Sequence, residues 1–287
     1  MNLSHQTAAV FAAFMGLATS TFAEVFCRYA DATGSPRYAR VDGDTLRTLD
    51  NAPWSGGRET GDTVSLAGAR LLPPSEPRNI LCLANSYPGK EKAPPRFIRW
   101  FAKSPGAVAT DGDTVEIPAI VDQLKSEVEV VLVVGRPLRN ASEAEARNAI
   151  FGYTVGNELF GFAETFQKVN GEDPNRTEAM LAAGLKLGDR FAPFGPFIHS
   201  GAEWKKRTRT LRIRNAATGK RVDYSGDTTG LLQPPERSLS ELSRVLTLEP
   251  GDIVFTGTDR ALVVDPGDVV TVEIEGLGRI TTPITKP

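Results

Sequence analysis

The segment Ser126-Glu127-Val128-Glu129-Val130-Val131-Leu132-Val133-Val134 sets two carboxylates two residues apart inside a β-branched run. Alternate side chains of a strand share a face, so Glu127 and Glu129 point one way and Val128 and Val130 the other. Two like charges on one face of an apolar strand repel, and are poorly solvated, unless a cation lies between them. A third acid, Glu158, closes a second apolar run, Gly152-Tyr153-Thr154-Val155-Gly156-Asn157-Glu158. Three carboxylates with no neighbouring His or Cys suit a hard divalent ion, Mg²⁺, Mn²⁺ or Ca²⁺, with positions left open for substrate. A solvent-facing edge strand carrying Glu is the competing reading. The unbroken apolar tail 130–134 argues against it, because such a run reads as buried on both faces.

Strands must hold these acids. Apolar or alternating runs predict strands over 79–84, 128–134, 153–157, 210–215, 253–256 and 269–275. Two helices are expected. Ser142 with Glu145 forms a capping box at the start of the first, 142–150. The second, 238–246, carries Leu239, Leu242, Val245 and Leu246 on one face and takes Ser238 as its cap. Both read as packing helices. Residues 24–72 read as short strands and turns, and Pro73, Pro74 and Pro77 mark a boundary. The expected organisation is a leader over 1–23, a small β-rich subdomain over 24–77 and a catalytic domain over 78–287. Residues 88–95, rich in Pro, Gly and Lys, suit a lid, and 166–181 suits a second loop.

Charge is nearly balanced, at −2, with no basic stripe, so nucleic acid is not an expected partner. Residues 1–23 contain no Lys, Arg, Asp or Glu and end on small residues, which resembles a secretory signal cleaved after Ala23. The apolar stretch is too short for a stable membrane span. Cleavage would make the protein periplasmic or secreted; otherwise it is cytoplasmic. Of the two cysteines, Cys27 and Cys82, the second lies in a core strand and reads as a buried thiol. Apart from His5 in the leader, His199 is the only histidine and reads as structural. A Ser-His-Asp or Cys-His mechanism therefore has no support.

From residue 77 to the C-terminus the chain resembles the fumarylacetoacetate hydrolase family. Lys103-Ser104-Pro105, Glu127-Val128-Glu129, Gly152-Tyr153 to Asn157-Glu158, the block from Lys186 to Pro196, and Thr256-Gly257-Thr258 carry the resemblance, all in the family's order. It implies a β-rich α+β fold, a fumarylacetoacetase C-terminal-like mixed β-roll or sandwich behind the small N-terminal subdomain, often a homodimer. It implies Glu127, Glu129 and Glu158 as metal ligands and Lys186 beside the metal, holding a substrate carboxylate or polarising a carbonyl. Tyr87, Lys103 and Thr258 are implied as substrate-binding residues. Three departures stand out. Glu158 occupies a position that is usually Asp. The Ala-Arg-Asp that usually follows is replaced by Phe160 to Glu164, without the Arg. The stretch from Asn85 to Lys92 lacks the lid histidine, so Lys90 and Glu91 become the candidate lid acid–base groups.

A carboxylate-held cation suits a 2-oxo acid or β-diketo acid, which chelates through two oxygens, and it stabilises an enolate as a C–C bond breaks or a proton moves. The expected reaction is C–C hydrolysis of an acylpyruvate-like substrate. Decarboxylation, hydration and keto–enol tautomerisation fit the same residues, as does an inactive relative that binds a dicarboxylate or Ca²⁺. An extracellular adhesion or carbohydrate-binding module lacks the expected surface aromatics.

Overall fold

The β-branched run around the acids builds a strand longer than its apolar core. In the computed structural model, which describes residues 23–88, 96–162 and 185–287, β10 spans Gln123–Val134. Before it come β1 (Glu24–Ala30), β2 (Pro36–Asp42), β3 (Thr45–Leu49), β4 (Glu59–Ser65), β5 (Arg70–Leu72), β6 (Ile80–Ala84), β7 (Arg99–Lys103), β8 (Val108–Ala109) and β9 (Val115–Glu116). After it come β11 (Ile150–Phe162), β12 (Ala192–Pro193), β13 (Phe197–Ser200), β14 (Thr208–Asn215), β15 (Lys220–Asp227), β16 (Ile253–Phe255), β17 (Leu262–Val264), β18 (Val269–Ile274) and β19 (Gly278–Thr285). Each strand read from the sequence is present, with β10 extended at its N-terminal end and β11 at both ends. The leader (except Ala23), Lys90, Glu91 and the segment 166–181 lie outside the described residues. Among the described residues no helix is long and apolar enough to cross a membrane.

The main sheet runs β4-β3-β2-β1-β13-β11-β10-β16-β6-β7, with β17 also on β10 and β5 on β1. A second sheet runs β15-β14-β18-β19-β9. It packs against β10 and β11. Between the two lies a continuous apolar core that includes Val128, Val130, Val155 and Leu159 from the first sheet and Leu211, Ile213, Val272 and Ile280 from the second. Asn157 Nδ2 crosses this layer to donate to Thr282 Oγ1 on β19. The first sheet is thereby covered on the face opposite the acids. The N-terminal strands have their own small core of Cys27, Tyr29, Ala39 and Leu46. They nonetheless extend the main sheet by hydrogen bonding, because β1 pairs antiparallel with β13. Cys27 and Cys82 are both buried free thiols.

The first helix, α1 (Glu143–Asn148), has the expected capping box between Ser142 and Glu145. The second, α2 (Pro235–Ser243), begins one turn earlier than its Ser238 suggested. Pro235 lacks the backbone N–H that the first turn leaves unpaired anyway, so it starts a helix at no hydrogen-bond cost. Ser238 is buried, and its hydroxyl donates back to Pro234 O. Leu239 and Leu242 are buried as expected, whereas Val245 lies past the helix end and is exposed.

Candidate active site

Register brings the acids together. Glu127 pairs with Glu158 and Glu129 with Gly156 across β10 and β11. Directly paired residues of antiparallel strands share a face. The three carboxylates therefore leave the sheet on one side, with a ligand oxygen of each within 4.8 Å of the others. Glu129 and Glu158 are 1% exposed, and Glu127 is half-buried. Gly156 is required opposite Glu129, because a Cβ there would come within 2.4 Å of Phe255 and Val131.

The edge of β10 opens beside the acids. β16 pairs with residues 131–133 and β17 with residues 124–126, so the connecting chain leaves the ladder along 127–130. Thr256 still donates its N–H to Val130 O, at 3.0 Å. Gly257 then turns with φ +84°, and its N–H donates to Glu129 Oε2 at 2.6 Å. A Cβ at Gly257 would strike Ser86 Oγ, so only glycine meets both the backbone angle and the space.

The electrostatics differ from acid to acid. Burial, and then the charge of Glu158, push the Glu129 carboxyl up to about 8, against the opposing pull of the Gly257 N–H and Lys186. Burial, and then the charges of Glu158 and Glu129, hold Glu127 well above the usual carboxylate range. Glu158 instead meets two ammonium groups, Lys103 Nζ at 2.6 Å from Oε1 and Lys186 Nζ at 3.0 Å from Oε2. Three carboxylates held close, with Glu127 and Glu129 raised first by burial and then by neighbouring acid charge, fit a hard divalent cation: its charge would relieve what the protein leaves uncompensated at Glu127 and Glu129.

The sequence-derived site residues separate into groups. Lys103 has a fully enclosed side chain. It donates to Leu159 O at 2.7 Å and Lys186 O at 2.8 Å, and its charge pairs with Glu158. With two N–H donors committed to backbone carbonyls and its charge paired with Glu158, the enclosed Lys103 braces the site from beneath rather than facing a substrate. Lys186 Nζ is the more open ammonium. It lies 3.7 Å from the Phe160 ring centre and 4.3 Å from that of Phe101. Tyr87 is buried with its ring against the Arg209 guanidinium, 4.4 Å away. Thr258 accepts a hydrogen bond from Arg209 Nη1 at 2.8 Å. His199 sits on β13, paired with Val25 and Tyr153, five positions along β11 from Glu158. Burial holds its imidazole below the usual range.

Sequence reasoning passed over Arg209, Phe101 and Phe160. Two of them had a signal. Phe160 stands two residues from Glu158 on the same strand face. Arg209 shares a face with Leu211 and Ile213, so the alternation that buries those two buries the arginine as well.

Comparison with known proteins identifies the family of the chain. The family model described as Fumarylacetoacetate (FAA) hydrolase C-terminal matches residues 78–285, and one described as Rv2993c-like, N-terminal matches residues 26–74. The chain is 30% identical over 208 residues to a fumarylacetoacetate hydrolase domain-containing protein 2 homolog of Dictyostelium discoideum, covering 68% of this chain and 64% of that protein. It is 32% identical over 194 residues to the 4-hydroxyphenylacetate degradation bifunctional isomerase/decarboxylase of Salmonella dublin, covering 67% of this chain and 42% of that one. It thus spans less than two thirds of either relative. Among solved structures, a 5-carboxymethyl-2-hydroxymuconate delta-isomerase from Mycobacterium smegmatis superposes with a TM-score of 0.77 at 27% identity, over 92% of this chain and 100% of that chain. With a family model matching residues 78–285 and a relative 30% identical over 68% of the chain, this chain belongs to the fumarylacetoacetate hydrolase family.

Proposed function

We propose that this protein is a divalent-metal-dependent enzyme acting on a 2-oxo acid or β-diketo acid through an enolate, with isomerisation or decarboxylation as the first reading. The observation that carries it is the convergence of Glu127, Glu129 and Glu158 on one face with the Lys186 ammonium beside them. A cation held by the three carboxylates would supply a Lewis acid that polarises the substrate's two chelating oxygens. The remaining work falls to the chain. Glu158 fixes Lys186 Nζ, and the Phe101 and Phe160 rings flank it and keep water from surrounding it. Lys186 Nζ gives the proton that an enolate carbon receives on ketonisation, and its amine takes that proton back in the reverse direction. Thr258 donates to a substrate oxygen. The Gly257 N–H holds Glu129 in place.

Among the described residues, Lys186 is the group beside the acids that is placed to move a proton, which favours proton transfer at carbon. The words isomerase and decarboxylase in the names of the Salmonella and Mycobacterium relatives support the same reading. C–C hydrolysis is the second reading. It needs, in addition, a base that activates water, and Lys90 and Glu91 are the sequence's candidates. The test is a panel of 2-oxo and β-diketo acids with Mg²⁺ or Mn²⁺, followed at the enol absorbance and by product analysis. Metal-dependent loss of the enol signal without cleavage supports isomerisation, and release of CO₂ supports decarboxylation. Release of two acids from a β-diketo acid supports hydrolysis. No metal-dependent turnover across the panel overturns the proposal.

A further inference from the structure

Arg209 is buried completely, yet it is ionic, and the apolar face of β14 on which it stands needs no charge. Its contacts explain its presence. Where the edge of β10 opens, Val128 O has lost its strand neighbour, and Arg209 Nη1 reaches it at 3.4 Å. The same nitrogen donates to Thr258 Oγ1 at 2.8 Å. Arg209 Nε donates to Asp227 O at 3.0 Å, and Nη2 pairs with Asp259 Oδ1 at 2.9 Å, an oxygen that also accepts from Tyr224. Tyr87 lies against the guanidinium face. One rigid planar group thus ties the backbone between Glu127 and Glu129 to the loop that carries Thr258.

The hydroxyl of Thr258 receives a second N–H, from Arg260, at 3.5 Å. A hydroxyl has two acceptor positions and one proton. With both acceptor positions engaged by donors, the proton remains for a partner that can only accept. We infer that Arg209 is a positioning residue that makes Thr258 an obligate hydrogen-bond donor, oriented toward an anionic substrate oxygen beside Glu129. The inference rests on the enolate reading for the identity of that oxygen, but not for the geometry.

The test uses the full chain loaded with Mn²⁺, and oxalate as probe, since oxalate presents the paired oxygens of a 2-oxo acid enolate and does not turn over. Oxalate and Mn²⁺ affinities are measured by calorimetry for the wild type, Arg209→Gln, Thr258→Val and the double variant. Each single change is expected to weaken oxalate about tenfold, the worth of one hydrogen bond to a charged group. The double variant is expected to weaken it no further, with Mn²⁺ affinity changed less than about threefold throughout. Thr258→Ser, which keeps the donor, is expected to restore both the affinity and the sensitivity to Arg209→Gln. Additive losses would show that Arg209 acts independently of Thr258 and overturn the inference, as would wild-type oxalate affinity in a folded Arg209→Gln protein.

Should Arg209→Gln not fold, Asp259→Asn releases the guanidinium from its solvent-exposed partner. It is expected to weaken oxalate about threefold in the wild type and not at all in Thr258→Val. Equal effects in the two backgrounds would overturn the inference. So would a wild type that binds Mn²⁺ but not oxalate, because Thr258 would then have no anionic oxygen to meet. A wild type that binds both and turns over no 2-oxo or β-diketo acid would sink the proposed reaction and leave the role of Arg209 standing.

Discussion

The two sides of the acid cluster are neutralised in opposite ways. Glu158 is ion-paired with two cationic groups, Lys103 and Lys186, supplied by the protein itself. Glu129 and Glu127 have no ammonium of their own at comparable distance among the described residues. A single backbone N–H meets Glu129, and both carboxyls are driven toward their protonated forms. The contrast separates structural charge compensation from charge left open for a ligand. One side is neutralised by the fold, and the other leaves charge that a cation would compensate.

Removing a carboxylate from the open side should have the largest effect. Glu129→Gln keeps shape and removes charge, so the protein should fold while its divalent-ion affinity falls by more than about 100-fold, since changes only one shell further out already cost about 10–100-fold. Metal-dependent turnover should vanish with it. Calorimetric titration with Mn²⁺ beside a thermal melt checks both halves. Tight Mn²⁺ binding by Glu129→Gln would break the comparison, because the open side would then not be the ligand side.

The lysines of the neutralised side should divide between chemistry and stability. Lys186→Met removes the accessible ammonium. Turnover should drop by about 100-fold or more, the usual range for a positioned acid–base group, with a small change in stability. Lys103→Met removes the enclosed partner and leaves Glu158 buried with Lys186 alone. That should cost about 3 kcal/mol, the low end for breaking a buried pair, read from urea unfolding. If Lys103→Met slowed turnover and left stability untouched, Lys103 would be a substrate contact after all.

How much of this was legible beforehand depended on range. Glu127 and Glu129 announce themselves because strand periodicity is local: two residues of spacing place them on one face whatever else the chain does. That Glu158 joins them follows from the β10–β11 register, and the order of family motifs anticipated it. Lys103 reads from the sequence as a substrate contact, because the enclosure that makes it a brace is produced by carbonyls of residues 159 and 186, far off in sequence. Arg209 went unread for the same reason: its partners come from β10, the Thr258 loop and the end of β15. The start of α2 was misplaced because Ser238 resembles a cap, whereas Pro235 sets the first turn and places Ser238 inside the helix.

The open side should also leave a signature in pH. For a carboxyl whose folded value is raised, the native state binds more protons than the unfolded chain between the two values, so stability falls as pH rises across that window. For Glu129 the window runs from the ordinary carboxyl value of 4.5 to about 8, and Glu127 acts in the same direction. A bound cation substitutes for the missing protons. The rise in Tm produced by saturating Mg²⁺ should therefore be small near pH 5 and grow toward pH 8. A Mg²⁺ increment that shrinks as pH rises would contradict the assignment of the open side.

His199 should give the smallest effect and serve as the control. Burial lowers its folded value below 6.5, so the unfolded chain takes up a proton first and stability falls as pH drops from 6.5 through the folded value. That slope is opposite in sign to the slope of the acid pair and overlaps it in pH. A bare melting curve therefore mixes the two. The Mg²⁺ increment does not, because His199 stands on β13 between β1 and β11 and belongs to neither side of the acid cluster. His199→Gln should remove the acid-side loss of stability, keep the growth of the Mg²⁺ increment with pH, and change turnover by less than about twofold, as expected for an imidazole outside the proton path. A folded, metal-loaded His199→Gln protein without activity would move the proton-transferring group from Lys186 to the imidazole, and with it the division between the two sides.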